Sequence, residues 1–238
     1  MNDPTIEIHE SNFLEMLSKV LSDLKKNGLN GRSKTFERLL KQTNIYVLMN
    51  ATGYVNIVDY DKLNEVLDII LYCKPKIVAC IFSGYAILET LLEILALTRG
   101  HKMLWIRTDA LIGTTRPKNI NTAGPVHKLY ARETIDKFKE KSDVVVFAAY
   151  PPLDSHNVGI KSNWAEAAAR DKRHVVLIGE NGGNNVGEPE DWEILDTDFR
   201  LFAISSKLNN TSDVEDHARL YESCDKSGPE VQDIKVSA

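Results

Sequence analysis

Several features by which a protein's chemistry is often recognised are missing from this 238-residue sequence. The three cysteines, Cys73, Cys80 and Cys224, match no metal-binding spacing, and their odd number favours a reducing compartment. The histidines are scattered without ligand spacing as well. Neither a Gly-x-Ser-x-Gly elbow nor a Walker A loop occurs. Nucleophilic hydrolysis and P-loop phosphate chemistry therefore lack support.

Long apolar runs and a strong net charge are also absent. No apolar run approaches the length that crosses a bilayer, and residues 1–10 lack the basic and apolar regions of a secretory signal. The net charge of −5 gives no general attraction to nucleic acid or anionic lipid. We therefore expect a cytoplasmic globular protein with no membrane partner, and the charge does not indicate a nucleic-acid partner.

A regular alternation of apolar segments is present from residue 76 onward. Continuous apolar runs predict strands that are buried on both faces over residues 76–82 and 143–149, and two further strands are predicted over 102–107 and 174–178. Helical spacing predicts helices over residues 86–97, 130–139, 163–170 and 189–195, and residues 200–204 predict a closing edge strand. This alternation predicts a Rossmann-like α/β fold, with a mostly parallel sheet and helices on both faces.

The segments on either side of this core differ from it in pattern. Residues 1–74 predict an N-terminal helical extension, with a short helix over 33–42, a strand over 45–49 and an apolar helical stripe between Phe13 and Leu24. We expect that stripe to dock onto the domain, residues 75–206, rather than onto a partner. Residues 207–238 are polar and aperiodic, and they predict a largely disordered tail, with a short helix over 214–221 as an alternative.

Ligands bind open α/β sheets at the carboxyl ends of their strands, which directs attention to the loops that follow the predicted strands. After the first strand, Ser83, Gly84 and Ala86 allow a close backbone approach, and the next helix begins with free N–H groups. Asp109 ends the second strand, where a carboxylate can accept hydrogen bonds from ribose hydroxyls. An ordinary strand–helix turn and a turn-capping aspartate remain the alternatives.

The third and fourth strands are followed by different loops. Tyr150 precedes Pro151 and Pro152, whose stiff backbone beside an aromatic ring suits a flat ring or a methyl donor. The alternative is a simple strand terminator. Glu180 precedes a glycine-rich segment over residues 182–187, and it could serve as a base or hold a substrate amine. The alternative here is a flexible surface loop.

Three blocks of sequence together resemble a known family. They are the turn over residues 81–86 with a later Leu91-Leu92, the strand that ends in Tyr-Pro-Pro over 144–152, and the strand that ends in Gly-Glu over 175–183. Gly187 and Trp192 follow the third block. With these blocks, residues 76–202 resemble the class I S-adenosylmethionine-dependent methyltransferases, and they are most similar to a poorly characterised branch found in eukaryotes and large viruses.

The resemblance implies S-adenosylmethionine as a small-molecule cofactor, with a methyl acceptor that it does not identify. It implies that the donor's amino-acid part faces Ser83, Gly84 and Ala86, and that Asp109 holds the ribose. It also implies that the transfer site is flanked by Tyr150, Pro151 and Pro152. Tyr150 and Glu180 are the candidate catalytic residues.

The sequence departs from the family's pattern at specific positions. Cys80 or its apolar neighbours stand where the family usually has an acidic residue, and Phe82 and Ala86 stand at glycine positions of the family's turn. Tyr150 precedes the prolines, where family members that methylate exocyclic amines have Asp or Asn. Two alternatives therefore stay open. One is a catalytically inactive Rossmann-like binding or structural protein, in which the ring of Phe82 fills the space above Gly84. The other is a nicotinamide-dependent enzyme that uses Asp109 on the ribose.

Overall fold

The computed structural model describes residues 10–27, 60–110, 122–152, 163–180, 187–208 and 216–224. Its helices are α1 Glu10–Asn27, α2 Tyr60–Tyr72, α3 Ile87–Thr98, α4 Ala131–Asp136, α5 Trp164–Arg170 and α6 Pro189–Asp198. Its strands are β1 Ile77–Ile81, β2 Leu104–Arg107, β3 Val144–Ala149, β4 His174–Glu180, β5 Phe199–Ile204 and β6 Asp216–Ser223. The predicted helix over 33–42 and strand over 45–49 lie outside these residues. Within them, no helix combines the length and the apolar character needed to cross a membrane.

The six strands form one mixed sheet in the order β2-β1-β3-β4-β6-β5. The pairs β1–β2, β1–β3 and β3–β4 are parallel, whereas β6 runs antiparallel to both β4 and β5. The predicted mostly parallel α/β fold is thus confirmed. Strand β2 lies on one side of β1 and strand β3 lies on the other, so the chain reverses its direction across the sheet after β2. The topological switch point therefore lies between the carboxyl ends of β1 and β3, where such sheets form a ligand crevice.

Helices cover both faces of the sheet because its central strands are apolar on both sides. Val78 and Cys80 of β1 share one buried cluster with α1, α2 and α3. Ile81 of β1 and Ala148 of β3 share a second cluster with α4, α5 and α6. Every residue of β1 is buried. This pattern explains why the continuous apolar runs predicted the parallel strands correctly.

Helix α1 docks onto the domain as the sequence predicts. Leu17, Leu21 and Leu24, which are 0%, 4% and 5% exposed, belong to the same core cluster as the first strand. The ammonium group of Lys25 lies 2.7 Å from a carboxylate oxygen of Glu93 on α3. Helices α1 and α2 contribute to the same core as the sheet. The division of the chain at residue 74 stays a prediction.

The prediction of a disordered tail from residue 207 is wrong for residues 216–223, which form β6 inside the sheet. The alternative of a short helix over 214–221 is wrong as well. Ala218 and Leu220 are fully buried in the core cluster. Arg219, between them, donates a 2.7 Å hydrogen bond to the carbonyl of Gly179. The alternation of apolar and polar residues is that of a strand, and the buried polar groups of β6 disguised it as a polar tail.

Candidate functional site

The turn after β1 has a backbone suited to glycine, although two of its three left-handed residues are not glycine. Phe82, Gly84 and Ala86 have φ angles of 59°, 52° and 58°. The N–H of Ser83 donates to the carbonyl of Thr108 at 3.0 Å, and the N–H of Ala86 donates to the carbonyl of Ser83 at 2.6 Å. Left-handed φ costs a non-glycine residue about 1–2 kcal/mol. The turn therefore has a glycine-type conformation at two residues that are not glycine.

Asp109 lies directly against this turn. Its Oδ2 atom accepts a 2.8 Å hydrogen bond from the N–H of Gly84, and the residue is only 7% exposed. The N–H of Asp109 donates to the carbonyl of His127 at 3.0 Å, which fixes the end of β2. The two loops that the sequence singled out are thus brought together at the end of β1. A carboxylate offers about four acceptor positions, and the bond to Gly84 takes one of them.

Two acidic residues that the sequence analysis missed are buried beneath the turn. Glu89 and Glu93, on successive turns of α3, are each 2% exposed. Burial raises the pKa of Glu89 to about 7, and nearby Asp109 also raises it. A backbone hydrogen bond, Arg107 and the hydroxyl of Ser83 oppose that rise in pKa. The signal was available, because two carboxylates four residues apart interrupt an otherwise apolar helix.

Arg107 and Lys25 balance the charge of Glu93. The guanidinium of Arg107, at the end of β2, forms a buried ion pair with Glu93 and donates a 3.4 Å hydrogen bond to the backbone carbonyl of Glu89. Lys25 approaches the other carboxylate oxygen of Glu93 from α1. A buried charge of this kind is tolerated only when it is paired, so α1, α3 and β2 are electrostatically linked at the base of the site.

Tyr150 follows β3 on the other side of the switch point. Its φ is 51°, its N–H donates to the carbonyl of Ile178 at 2.9 Å, and its hydroxyl donates to Oδ2 of Asp216 at 3.1 Å. The carbonyl of Pro151 accepts a 2.7 Å hydrogen bond from Gly187. These bonds tie Tyr150 and Pro151 to β4, to the start of β6 and to Gly187. Sequence reasoning missed Asp216 because it placed this residue in a tail.

Glu180 and Pro152 complete the predicted set at the carboxyl edge. Pro152 follows Pro151, and Glu180 closes β4, where its backbone is in register with Asp216. The side chain of Glu180 and the glycines over 182–183 lie outside the described residues. Their predicted roles therefore stay predictions, as do the roles of the other site residues.

The ring of Phe82 packs on the α5 side of the sheet. Its centroid lies 6.5 Å from that of Trp164 in an edge-on contact, and Phe82 packs against the buried cluster to which Trp164 belongs. The alternative in which this ring fills the space above Gly84 gains no support from this contact.

Metal and thiolate chemistry receive no support from the described part of the chain. No group of three or more His, Cys, Asp or Glu side chains there could hold a metal ion. Burial raises the pKa of Cys73 to about 12 and holds that of the fully buried Cys80 well above its ordinary value. These two thiols therefore stay protonated at neutral pH, and Cys80 packs as a small hydrophobic residue.

Comparison with known proteins gives weak similarities only. No protein-family model matches the sequence, and no curated protein matches it. One similar solved structure is a candidate class I S-adenosylmethionine-dependent methyltransferase from Listeria monocytogenes, with a TM-score of 0.44 and 14% identity, which covers 98% of this chain and 85% of that one. Another is magnesium protoporphyrin IX methyltransferase from Synechocystis PCC 6803 with bound S-adenosylmethionine, with a TM-score of 0.38 and 12% identity, which covers 87% of this chain and 97% of that one.

Proposed function

We propose that the chain is a methyltransferase-like protein that binds S-adenosylmethionine in the crevice between the carboxyl ends of β1 and β3. The observation that carries this proposal is the left-handed turn over residues 82–86, whose Gly84 N–H is held by Asp109. A turn of this kind at a switch point presents backbone to a ligand at close range, beside a carboxylate suited to ribose hydroxyls. The residues present therefore fit the cofactor.

Each part of the edge has a proposed role. The turn formed by Ser83, Gly84 and Ala86 faces the amino-acid part of the donor, and Asp109 accepts hydrogen bonds from its ribose. When bound, S-adenosylmethionine supplies an activated methyl group. The stiff segment Tyr150-Pro151-Pro152 flanks the acceptor and excludes water from the transfer site. Glu180 takes a proton from the acceptor or holds its amine. Chemistry of this kind depends mainly on alignment and desolvation rather than on a strong catalytic base.

Isothermal titration with S-adenosylhomocysteine tests the proposal. We expect binding in the micromolar range to the full chain. Asp109→Asn is the informative variant because its amide oxygen can still accept from the N–H of Gly84, whereas its NH₂ group cannot accept from a ribose hydroxyl. We expect Asp109→Asn to lower the affinity about tenfold or more. Glu193→Gln, on the exposed side of α6, is the matched control and should bind as the wild type does.

A second candidate is a catalytically inactive binding or structural protein with the same sheet. The observation in its favour is that Asp109 is 7% exposed and already bonded to Gly84. A folded protein that gives no heat with S-adenosylhomocysteine or S-adenosylmethionine would support this candidate and overturn the cofactor proposal. Binding of NAD that S-adenosylhomocysteine does not displace would instead support a nicotinamide-dependent enzyme.

A further inference from the structure

Strand β6 begins at the carboxyl edge of the sheet, beside the end of β4. It runs antiparallel to β4, and its first residue, Asp216, is in register with Glu180, the last residue of β4. Farther along β6, the guanidinium of Arg219 donates a 2.7 Å hydrogen bond to the carbonyl of Gly179. Asp216 and Arg219 are only 1% and 2% exposed. Two buried charged side chains of one strand therefore reach the edge at which the crevice lies.

Asp216 is tied to Tyr150, the residue that follows β3. The hydroxyl of Tyr150 donates to Oδ2 of Asp216 at 3.1 Å. The backbone of Tyr150 is held separately, because its N–H donates to the carbonyl of Ile178 at 2.9 Å and the carbonyl of Pro151 accepts from Gly187 at 2.7 Å. Its φ of 51° is unfavourable for a residue with a Cβ atom, and such a conformation persists only where its surroundings enforce it. Tyr150 is therefore fixed both at its backbone and at its hydroxyl.

A hydrogen bond from a phenol to a carboxylate is charge-assisted, and it is therefore stronger than a bond to a neutral acceptor. It also polarises the phenol, which leaves the ring richer in electrons and a better partner for a cation. We propose that Asp216 is a positioning residue, which holds the ring of Tyr150 beside the methyl-sulfonium group of the donor and so favours S-adenosylmethionine over S-adenosylhomocysteine. This inference rests on the proposed function, and it adds a residue that distinguishes the charged sulfur of the donor from the uncharged sulfur of its product.

Titration calorimetry of the full chain with S-adenosylmethionine and S-adenosylhomocysteine tests this inference. The measured quantity is the ratio of the two affinities, because a residue that only stabilises the fold affects both ligands alike. We expect Asp216→Ala to lower the affinity for S-adenosylmethionine, relative to that for S-adenosylhomocysteine, by about threefold or more. Tyr150→Phe keeps the ring and removes the hydroxyl that tethers it, so this variant should lower the ratio by a similar factor.

Three further variants decide whether Asp216 acts through Tyr150. If it does, Asp216→Ala has no additional effect on the ratio in the Tyr150→Phe background. Asp216→Asn keeps an acceptor oxygen for the hydroxyl and removes the charge, so its ratio should lie between those of the wild type and Asp216→Ala. Glu222→Gln removes a carboxylate from the other end of β6, where Glu222 bonds to Arg200 at 3.0 Å, and this control should keep the ratio of the wild type.

The outcomes separate the two proposals. If neither ligand binds the wild type, the proposed function fails and the role of Asp216 fails with it. If both ligands bind but Asp216→Ala lowers the two affinities by the same factor, Asp216 is a structural residue, its positioning role is overturned and the cofactor proposal stands. Independent effects of Asp216→Ala and Tyr150→Phe on the ratio would overturn the role in the same way. Thermal unfolding checks each variant, and if Asp216→Ala does not fold, the ratios of Asp216→Asn and Tyr150→Phe decide.

Discussion

At the scale of single residues, Gly124 packs closely against Thr90 and Arg107. A Cβ atom added there would lie 3.0 Å from Oγ1 of Thr90 and 3.4 Å from Cζ of Arg107. Thr90 is fully buried, its side chain is β-branched, and its Oγ1 has no hydrogen-bond partner. Arg107 is held by its ion pair with Glu93. A new methyl group at Gly124 would therefore require Thr90 to shift by a few tenths of an ångström.

We therefore expect Gly124→Ala to lower the free energy of unfolding by about 1–3 kcal/mol. Thr90→Ala removes the closest atom, so the double variant should recover about 1 kcal/mol of that loss. Urea unfolding of the wild type, both single variants and the double variant measures the coupling. A Gly124→Ala variant as stable as the wild type would contradict the close packing, and additive losses would show that Thr90 is not the obstacle.

Sequence reasoning succeeded for some residues of the site and failed for others for physical reasons. The pairing of Gly84 with Asp109 was foreseeable, because both residues follow parallel strands whose carboxyl ends meet at one edge. Glu89 and Arg107 were not foreseen, because the pattern predicts helices and strands and does not predict which charges become buried. The left-handed conformation of Phe82 and Ala86 was also hidden, because glycine is the usual sequence signal for it.

At the scale of elements, β6 differs most from the sequence-based prediction. It pairs antiparallel with β4 and β5, and it therefore lies inside the sheet rather than beyond it. The parallel strands were predicted from apolar runs, whereas β6 places Asp216 and Arg219 in buried positions, where each has a hydrogen-bond partner. Composition alone misses such a strand, because the partners that make its polar residues tolerable are far away in the sequence.

We expect Leu220→Ala in β6 to lower the free energy of unfolding by about 2–5 kcal/mol, because Leu220 is fully buried against the core. Leu201→Ala, in edge strand β5, is the matched variant. Leu201 is 39% exposed, so we expect a loss of about 1 kcal/mol or less. Equilibrium unfolding in urea measures both losses. Equal losses for the two variants would contradict the central position of β6.

At the scale of the whole molecule, Glu89 links the stability of the fold to pH. Its pKa is about 7 in the folded chain, against the ordinary value of 4.5 that applies when the chain unfolds. Between these values the folded state holds a proton that the unfolded state releases. The resulting stabilisation is complete below the unfolded pKa and is lost as the pH rises through about 7. A buried carboxylate at the candidate site therefore makes the folded state less stable under mildly alkaline conditions.

Glu89→Gln removes this dependence, and the difference between the two proteins isolates it from all other titrating groups. Relative to Glu89→Gln, we expect the wild type to lose stability on the order of 3 kcal/mol between about pH 4.5 and about pH 8. Urea unfolding of both proteins at several pH values in this interval gives the difference directly, and Glu193→Gln should follow the wild type throughout. A constant difference between the wild type and Glu89→Gln would mean that the carboxyl of Glu89 titrates alike in the folded and unfolded chains.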